Sequence, residues 1–203
     1  MSENVDRIIF INLDKRIDRL EQINNEINKF SLEYKTERFP AIHHPSGTVG
    51  CGKSHLAVLK LAKERKYKNV LILEDDFYFV VSKDDFESNL KIFFENVKEF
   101  DVCMISYAAI KSESCKYPFL LRLLDGQTAS GYLVNESYYD SLINLYEEAI
   151  PLLEKTGKHW IYANDQVWKK LQAVDTWYCF KNRLGKQIHG FSDNAQCYME
   201  YDC

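Results

Sequence analysis

Asn69-Val70-Leu71-Ile72-Leu73-Glu74-Asp75-Asp76 is the stretch on which the fold turns. Its apolar run, Asn69 to Leu73, is long enough for a buried strand and too short for a helix. It runs straight into three adjacent carboxylates. Upstream, Arg7 to Leu13 (RIIFINL) predicts a second strand of the same kind, followed by the polar cluster Asp14 to Arg19. Leu20, Ile23, Ile27 and Phe30 then recur at helical spacing. Phe39 to Ile42 is a brief strand, and Ser54 is placed to cap a helix to about Arg65, with Leu56, Leu59 and Ala62 along one face. Downstream, the pattern predicts a helix over Phe86 to Val97 and strands over Asp101 to Ser106 and Gly131 to Val134. A helix over Glu136 to Leu153, a helix over Ala163 to Leu171 and a strand over Thr176 to Phe180 follow. Strand and helix in alternation mean an α/β domain with a mainly parallel central sheet. Ligands of such sheets bind beyond the carboxyl ends of the strands. Asn12 to Arg19 and Glu74 to Asp76 both fall at such ends.

The 203 residues fit one domain, residues 1–203, because domains run to roughly 100–200 residues. Hydrophobic residues at 46% and charged residues at 28% are ordinary for a globular protein, which excludes disorder and fibrous classes. A net charge of -4 without a basic stripe argues against a nucleic-acid partner. No apolar run reaches the ~18 residues of a membrane helix. The acidic amino end, with its apolar stretch only at Ile8 to Ile11, is unlike a secretory signal, so a cytoplasmic location is expected. Cys51, Cys103, Cys115, Cys179, Cys197 and Cys203 include no CxxC pair and are expected as free thiols.

Three carboxylates at the end of a buried strand repel one another and resist desolvation. A divalent metal relieves both costs, and Mg²⁺ or Mn²⁺ favours oxygen ligands; a solvated acidic turn is the alternative. Gly47-Thr48-Val49-Gly50-Cys51-Gly52-Lys53-Ser54 matches the phosphate-loop pattern GxxxxGK[ST], but that motif needs a buried strand feeding the glycines. His43-His44-Pro45-Ser46 interrupts the approach. Arg16 and Arg19 suit phosphate oxygens or are solvated charges. His55 is a nucleotide contact or a structural histidine, and Asp165 is a functional carboxylate or a plain helix cap. His189 lies in a segment without periodicity. Tyr132, Trp160, Tyr162, Trp168, Trp177 and Tyr178 are core residues or platforms for rings.

In order along the chain, Ile11-Asn12-Leu13-Asp14 with Arg16, Asp18 and Arg19, then Gly50-Cys51 with Ser54-His55-Leu56, then Leu71-Ile72-Leu73-Glu74-Asp75-Asp76, then Thr128 to Val134, then Ser192-Asp193 resemble glycosyltransferase family 25. That family contains lipopolysaccharide and collagen galactosyltransferases. The resemblance spans nearly the whole chain and implies a GT-A-like nucleotide-sugar fold. It also implies an inverting transfer of galactose or glucose from a UDP-sugar, with Mn²⁺ (or Mg²⁺), to a glycan or protein acceptor. It makes Glu74, Asp76, His189 and Asp193 the metal ligands expected. Asn12, Asp14, Arg16, Arg19, Ser54, His55, Asp75 and Tyr132 become donor contacts, and Asp165 the base. Asn194 departs from the family, where an apolar residue is common. The other readings are a non-catalytic sugar-nucleotide-binding domain of the same fold and an NTP-binding protein using Gly47 to Ser54.

Overall fold

A computed structural model of the chain describes residues 4–192 and 197–199. In chain order the elements are β1 (Arg7–Asn12), α1 (Ile17–Lys29), β2 (Thr36–Pro40), α2 (Gly47–Glu64), β3 (Asn69–Glu74), β4 (Phe77–Phe79) and α3 (Lys83–Asn96). They continue with β5 (Val102–Ser114), β6 (Leu120–Asn135), α4 (Tyr139–Thr156) and the single turns α5 (His159–Tyr162), α6 (Asn164–Val167) and α7 (Lys169–Gln172). The last are β7 (Trp177–Phe180), β8 (Gly185–Gln187), β9 (Gly190–Ser192) and β10 (Cys197–Met199).

The central sheet has the order β2-β1-β3-β6-β5-β7. β1 runs parallel to β2 and β3, and β5 runs parallel to β7. Only β6 runs against its neighbours β3 and β5. The α/β, mainly parallel expectation is met, and β6 is its one reversal. The cause is local: a short connection joins β5 to β6, and a short connection can only return the chain antiparallel. Both strands are much longer than their apolar cores at Asp101 to Ser106 and Gly131 to Val134. The outer half of β5 is exposed and polar, so no hydrophobic pattern marks it.

Alternate residues of the central strands enter two apolar layers. Ile9, Ile11, Val70, Ile72 and Tyr132 pack with Val58 and Leu59 of α2 and with Leu142 and Tyr146 of α4. Ile8, Phe10, Leu71, Leu73 and Leu133 pack with Ile23 and Ile27 of α1 and with Phe86, Leu90 and Phe93 of α3. A strand covered on both faces has no polar side to alternate with, which is why Asn69 to Leu73 reads as a continuous apolar run.

Two helical expectations are corrected. α2 starts at Gly47, after Ser46, and Ser54 lies two turns inside it. The Ser54 hydroxyl donates to the Gly50 carbonyl at 2.7 Å and accepts the Ile42 amide at 2.8 Å, so it ties the helix to the loop after β2 instead of capping it. The phosphate-loop match fails for the same reason. Gly47 to Ser54 is helix, its amides from Gly50 onward are committed to helical bonds, and Lys53 pairs with Glu154 at 3.1 Å. Gly50 is required by close approach: a Cβ there would sit 2.7 Å from the Ile42 carbonyl oxygen. The helix expected over Ala163 to Leu171 is divided at Trp168, whose buried indole donates to the Gly126 carbonyl at 3.0 Å. Gln172 accepts the Gly126 amide at 2.8 Å, and Asp165 accepts the amide of Thr128, whose φ is 77°. Single helical turns therefore clamp a strained corner of β6.

Gly50→Ala should destabilise the fold. The added methyl gains about 1 kcal/mol of helix propensity, but overpacking against a fixed backbone oxygen costs more, for a net loss of about 1–2 kcal/mol. Lys53→Ala, which breaks only a surface pair, should stay within about 0.5 kcal/mol. Urea denaturation of the two variants checks both values.

Candidate functional site

The register of β1 on β3 builds the site. Ile11 lies opposite Glu74, so the residues just beyond, Asn12 and Asp75, meet where both strands end. Asn12 is buried; its amide nitrogen donates to Asp75 at 2.7 Å and to the Arg16 carbonyl at 3.1 Å. Arg19, from the first turns of α1, donates to Asp75 at 3.0 Å and to Asp76 at 2.8 Å. Gln187 of β8 donates to the same Asp76 oxygen at 3.0 Å, and the Asp76 carbonyl accepts the Ile188 amide at 2.7 Å. The other Asp76 carboxylate oxygen is buried and has no hydrogen-bond partner among the described residues.

Glu74 faces the other way, towards α2. It accepts from His55 Nε2 at 3.1 Å and from the Cys51 thiol at 3.4 Å. His55 is fully buried, and its Nδ1 lies 2.7 Å from the Tyr132 hydroxyl. Three adjacent acids thus point to three different sets of partners.

Electrostatics follow from that division. Burial raises the Glu74 carboxyl, but the hydrogen bonds from His55 and Cys51 outweigh it and hold the group below its usual value. Burial raises Asp75, with Arg19 and Asn12 opposing. Asp76 is pushed up to about 7, first by burial and then by the neighbouring Glu74 charge. Burial also raises Asp165. Asp165 sits in the second position of a one-turn helix, and Ala163, not Asp165, precedes that turn as its cap, so the capping alternative fails. Lowering by the helix end, the usual effect on a carboxylate there, loses to desolvation.

These groups line an open cleft of about 190 Å³. Glu74, Asp75, Asp76 and Gln187 form one wall; Lys15, Arg16 and Arg19 form another; His43, His44, Cys51, Ser54 and His55 come from the loop after β2 and from α2. Among the expected donor contacts, Arg16, Arg19, Ser54, His55 and Asp75 line this cleft. Asn12 and Tyr132 lie behind it, holding Asp75 and His55. Asp14 is exposed and pairs with Arg38, which in turn donates to Asn12 at 3.0 Å. Of the expected metal ligands, Glu74 and Asp76 face the cleft. His189 is exposed two residues beyond Gln187, and Asp193 lies outside the described residues. Asp165 stands behind Cys51, close enough for its charge to act on the thiol, and holds Thr128 at 3.3 Å. Of the aromatic residues, Tyr132, Trp168, Trp177 and Tyr178 are core, whereas Trp160 is exposed.

Gln187, Lys15 and the His43-His44 pair were not assigned from sequence. Gln187 reaches the site because β8 pairs with β4, with Phe77 opposite Gln187. That contact spans 111 residues and carries no local signal.

No protein-family profile matches the chain, and no curated protein matches it. Solved structures match at the level of fold. Mannose-1-phosphate geranyltransferase from Thermus thermophilus is 8% identical with a TM-score of 0.51, covering 87% of this chain and 73% of that one. The glycosyltransferase GlyE of Streptococcus pneumoniae TIGR4 is 13% identical with a TM-score of 0.50; the match covers 87% of this chain but only 45% of GlyE. A UDP-glucose pyrophosphorylase complexed with UDP-glucose is 7% identical with a TM-score of 0.50, covering 90% and 74%. The fold is GT-A-like, shared by glycosyltransferases and nucleotidyltransferases.

Arg19→Ala should leave Asp75 and Asp76 without their buried counter-charge, a change that typically costs about 3–5 kcal/mol. The sign of its pH dependence is fixed. Arg19 attracts the ionised carboxylates and so favours the fold above the Asp76 value of about 7, and that contribution fades as pH falls through it. The loss in melting temperature should therefore be larger at pH 8 than at pH 5.5, and an equal loss at both would contradict the charge pairing.

Proposed function

We propose that this chain is an inverting glycosyltransferase of the family 25 kind, one transferase unit over residues 1–203. It would move galactose or glucose from a UDP-sugar to a hydroxyl of a glycan or a collagen-like protein. The observation that carries the reading is the buried Asp76 oxygen without a partner among the described residues, at the strand end of a GT-A-like sheet, in a cleft that Lys15, Arg16 and Arg19 also line.

The residues fit a hard divalent cation. Asp76 offers an unused, desolvated carboxylate oxygen, and Glu74 is the adjacent oxygen donor on the same wall. Mg²⁺ and Mn²⁺ take one or two protein carboxylates and leave the remaining positions to phosphate oxygens and water. When bound, such an ion stabilises negative charge on the departing diphosphate. His189, two residues beyond Gln187, would supply a further ligand, and Asp193 is proposed with it from the sequence pattern.

The chain's own residues divide the remaining work. Lys15, Arg16 and Arg19 bring cationic charge to the diphosphate, Arg16 while paired with Asp18 at 2.8 Å and Arg19 while bonded to Asp75 and Asp76. Asp75, fixed by Asn12 and Arg19, and His55, fixed by Tyr132, contact the nucleoside sugar. Attack on the anomeric carbon needs the acceptor hydroxyl to lose its proton on the face opposite the leaving group. Asp165 takes that proton. Its buried environment raises its proton affinity, as a base working near neutral pH requires.

Two variants test the assignment. Asp76→Asn should abolish most Mn²⁺-dependent UDP binding in calorimetry while the protein stays folded; unchanged affinity would remove Asp76 from the site. Asp165→Asn should lower UDP release by about 10²–10⁴-fold, the usual worth of a general base, with donor affinity little changed. A donor screen that finds binding without turnover would favour the non-catalytic domain. Pyrophosphate formed from UTP and a sugar phosphate would assign nucleotidyl transfer instead.

A further inference from the structure

Glu74 is turned away from Asp76 and towards α2, and its two partners there are both ligands for softer metals. Cys51 and His55 are four residues apart on α2, so they project from one helix face onto the end of β3. Cys51 Sγ, His55 Nε2 and a Glu74 carboxylate oxygen all lie within 4.8 Å of one another. The sulfur is 3.4 Å and the nitrogen 3.1 Å from the same Glu74 oxygen. Tetrahedral zinc, with bonds of ~2.3 Å to sulfur and ~2.0–2.1 Å to nitrogen and oxygen, needs ligand separations of about that size.

We propose that Cys51, His55 and Glu74 form a three-ligand site for a thiophilic divalent cation such as Zn²⁺, distinct from the oxygen-ligand site at Asp76. Two of the three ligands already have the outer partners that a metal site uses. His55 Nδ1 is 2.7 Å from the buried Tyr132 hydroxyl, so a tautomer with the proton on Nδ1 donates to Tyr132 and frees the Nε2 lone pair for the metal. The Asn164 amide donates to Cys51 Sγ at 3.7 Å, an outer partner for the sulfur once a bound metal has displaced its proton. Binding exchanges the Cys51 S–H bond for a metal–sulfur bond and releases that proton to solvent, while the histidine proton only changes nitrogen. All three ligands border the cleft, which leaves the fourth coordination position for water or a bound molecule. Selection against Mg²⁺ and Mn²⁺ comes from the thiolate, which prefers softer ions.

Because Glu74 belongs to both walls, Zn²⁺ here would draw a carboxylate from the hard-metal site. The assignment itself does not rest on the transferase reading and is tested without any sugar nucleotide. Reduced, metal-free protein is titrated with Co²⁺ and followed by absorbance, and with Zn²⁺ against a chromophoric chelator. The expected result is one equivalent bound, with a sulfur-to-cobalt charge-transfer band and the visible intensity of a tetrahedral ion. Cys51→Ser, nearly isosteric, should lose that band and at least about tenfold in Zn²⁺ affinity, since losing even an outer partner of a ligand costs about 10–100-fold. Asp76→Asn should keep both. Wild-type protein without the cobalt–sulfur band, or a band and affinity retained in Cys51→Ser, would overturn the site.

Discussion

The cost of burying three consecutive carboxylates at the end of β3 is the constraint around which the rest of the structure is arranged. Such a cluster is tolerated only when each charge finds its own compensation. Here it does so by divergence. Glu74 is met by α2, Asp75 by β1 and α1, and Asp76 by α1 and β8. Arg19 alone bridges two of them, and Asn12 fixes the nearer one by donating its amide. One oxygen of Asp76 is left over among the described residues. A buried polar atom without a partner is costly to keep, and at this strand end it is the point at which the protein's internal compensation stops.

The sheet supplies the rigidity this requires. β1 and β3 are parallel neighbours covered on both faces, so their ends hold a fixed register and Asn12 reaches Asp75 without adjustment. The reversed strand β6 contributes from the other side: Tyr132 stands opposite Ile72 in the ladder and holds the ring of His55. The corner of β6 at Thr128 is held by Asp165, Trp168 and Gln172, from the turns that follow α4. A carboxylate assigned to proton transfer therefore also anchors backbone strain, which limits how far it can move.

What was legible in the sequence was what short-range physics encodes. The continuous apolar run at Asn69 to Leu73 meant a strand covered on both faces, and its acidic end marked the edge of the α/β sheet at which the cleft opens. The helical spacing from Leu20 to Phe30 placed Arg19 beside it. Ser54 misled because a serine among glycines reads as a helix start, whereas Gly50 is glycine to let α2 pass the Ile42 carbonyl. The exposed outer half of β5 carried no hydrophobic period, and in β6 Leu120 to Leu124 is buried only at every third residue, which is not a strand's alternation. Gln187 and the Cys51–Glu74 contact depend on pairings between distant segments, and no local pattern announces them.

The GT-A-like sheet is common to enzymes that transfer sugars and enzymes that transfer nucleotides, so the fold by itself does not choose between the two reactions. The choice lies in what faces the cleft opposite the acidic wall. A nucleotidyl transfer breaks a phosphoanhydride and has charge to stabilise on phosphate at both ends. A sugar transfer has phosphate only on the leaving side and needs a proton acceptor on the other. Lys15, Arg16 and Arg19 line the cleft beside the acidic triplet, whereas Asp165 lies behind Cys51, off the cleft wall, with burial raising its proton affinity. Acids of raised proton affinity stand beside the cations as well, at Asp75 and Asp76, so proton affinity alone does not separate a base from a group that faces phosphate. The glycosyltransferase reading is therefore a proposal carried by the partnerless Asp76 oxygen, and the acceptor side of the cleft is where the two reactions would differ.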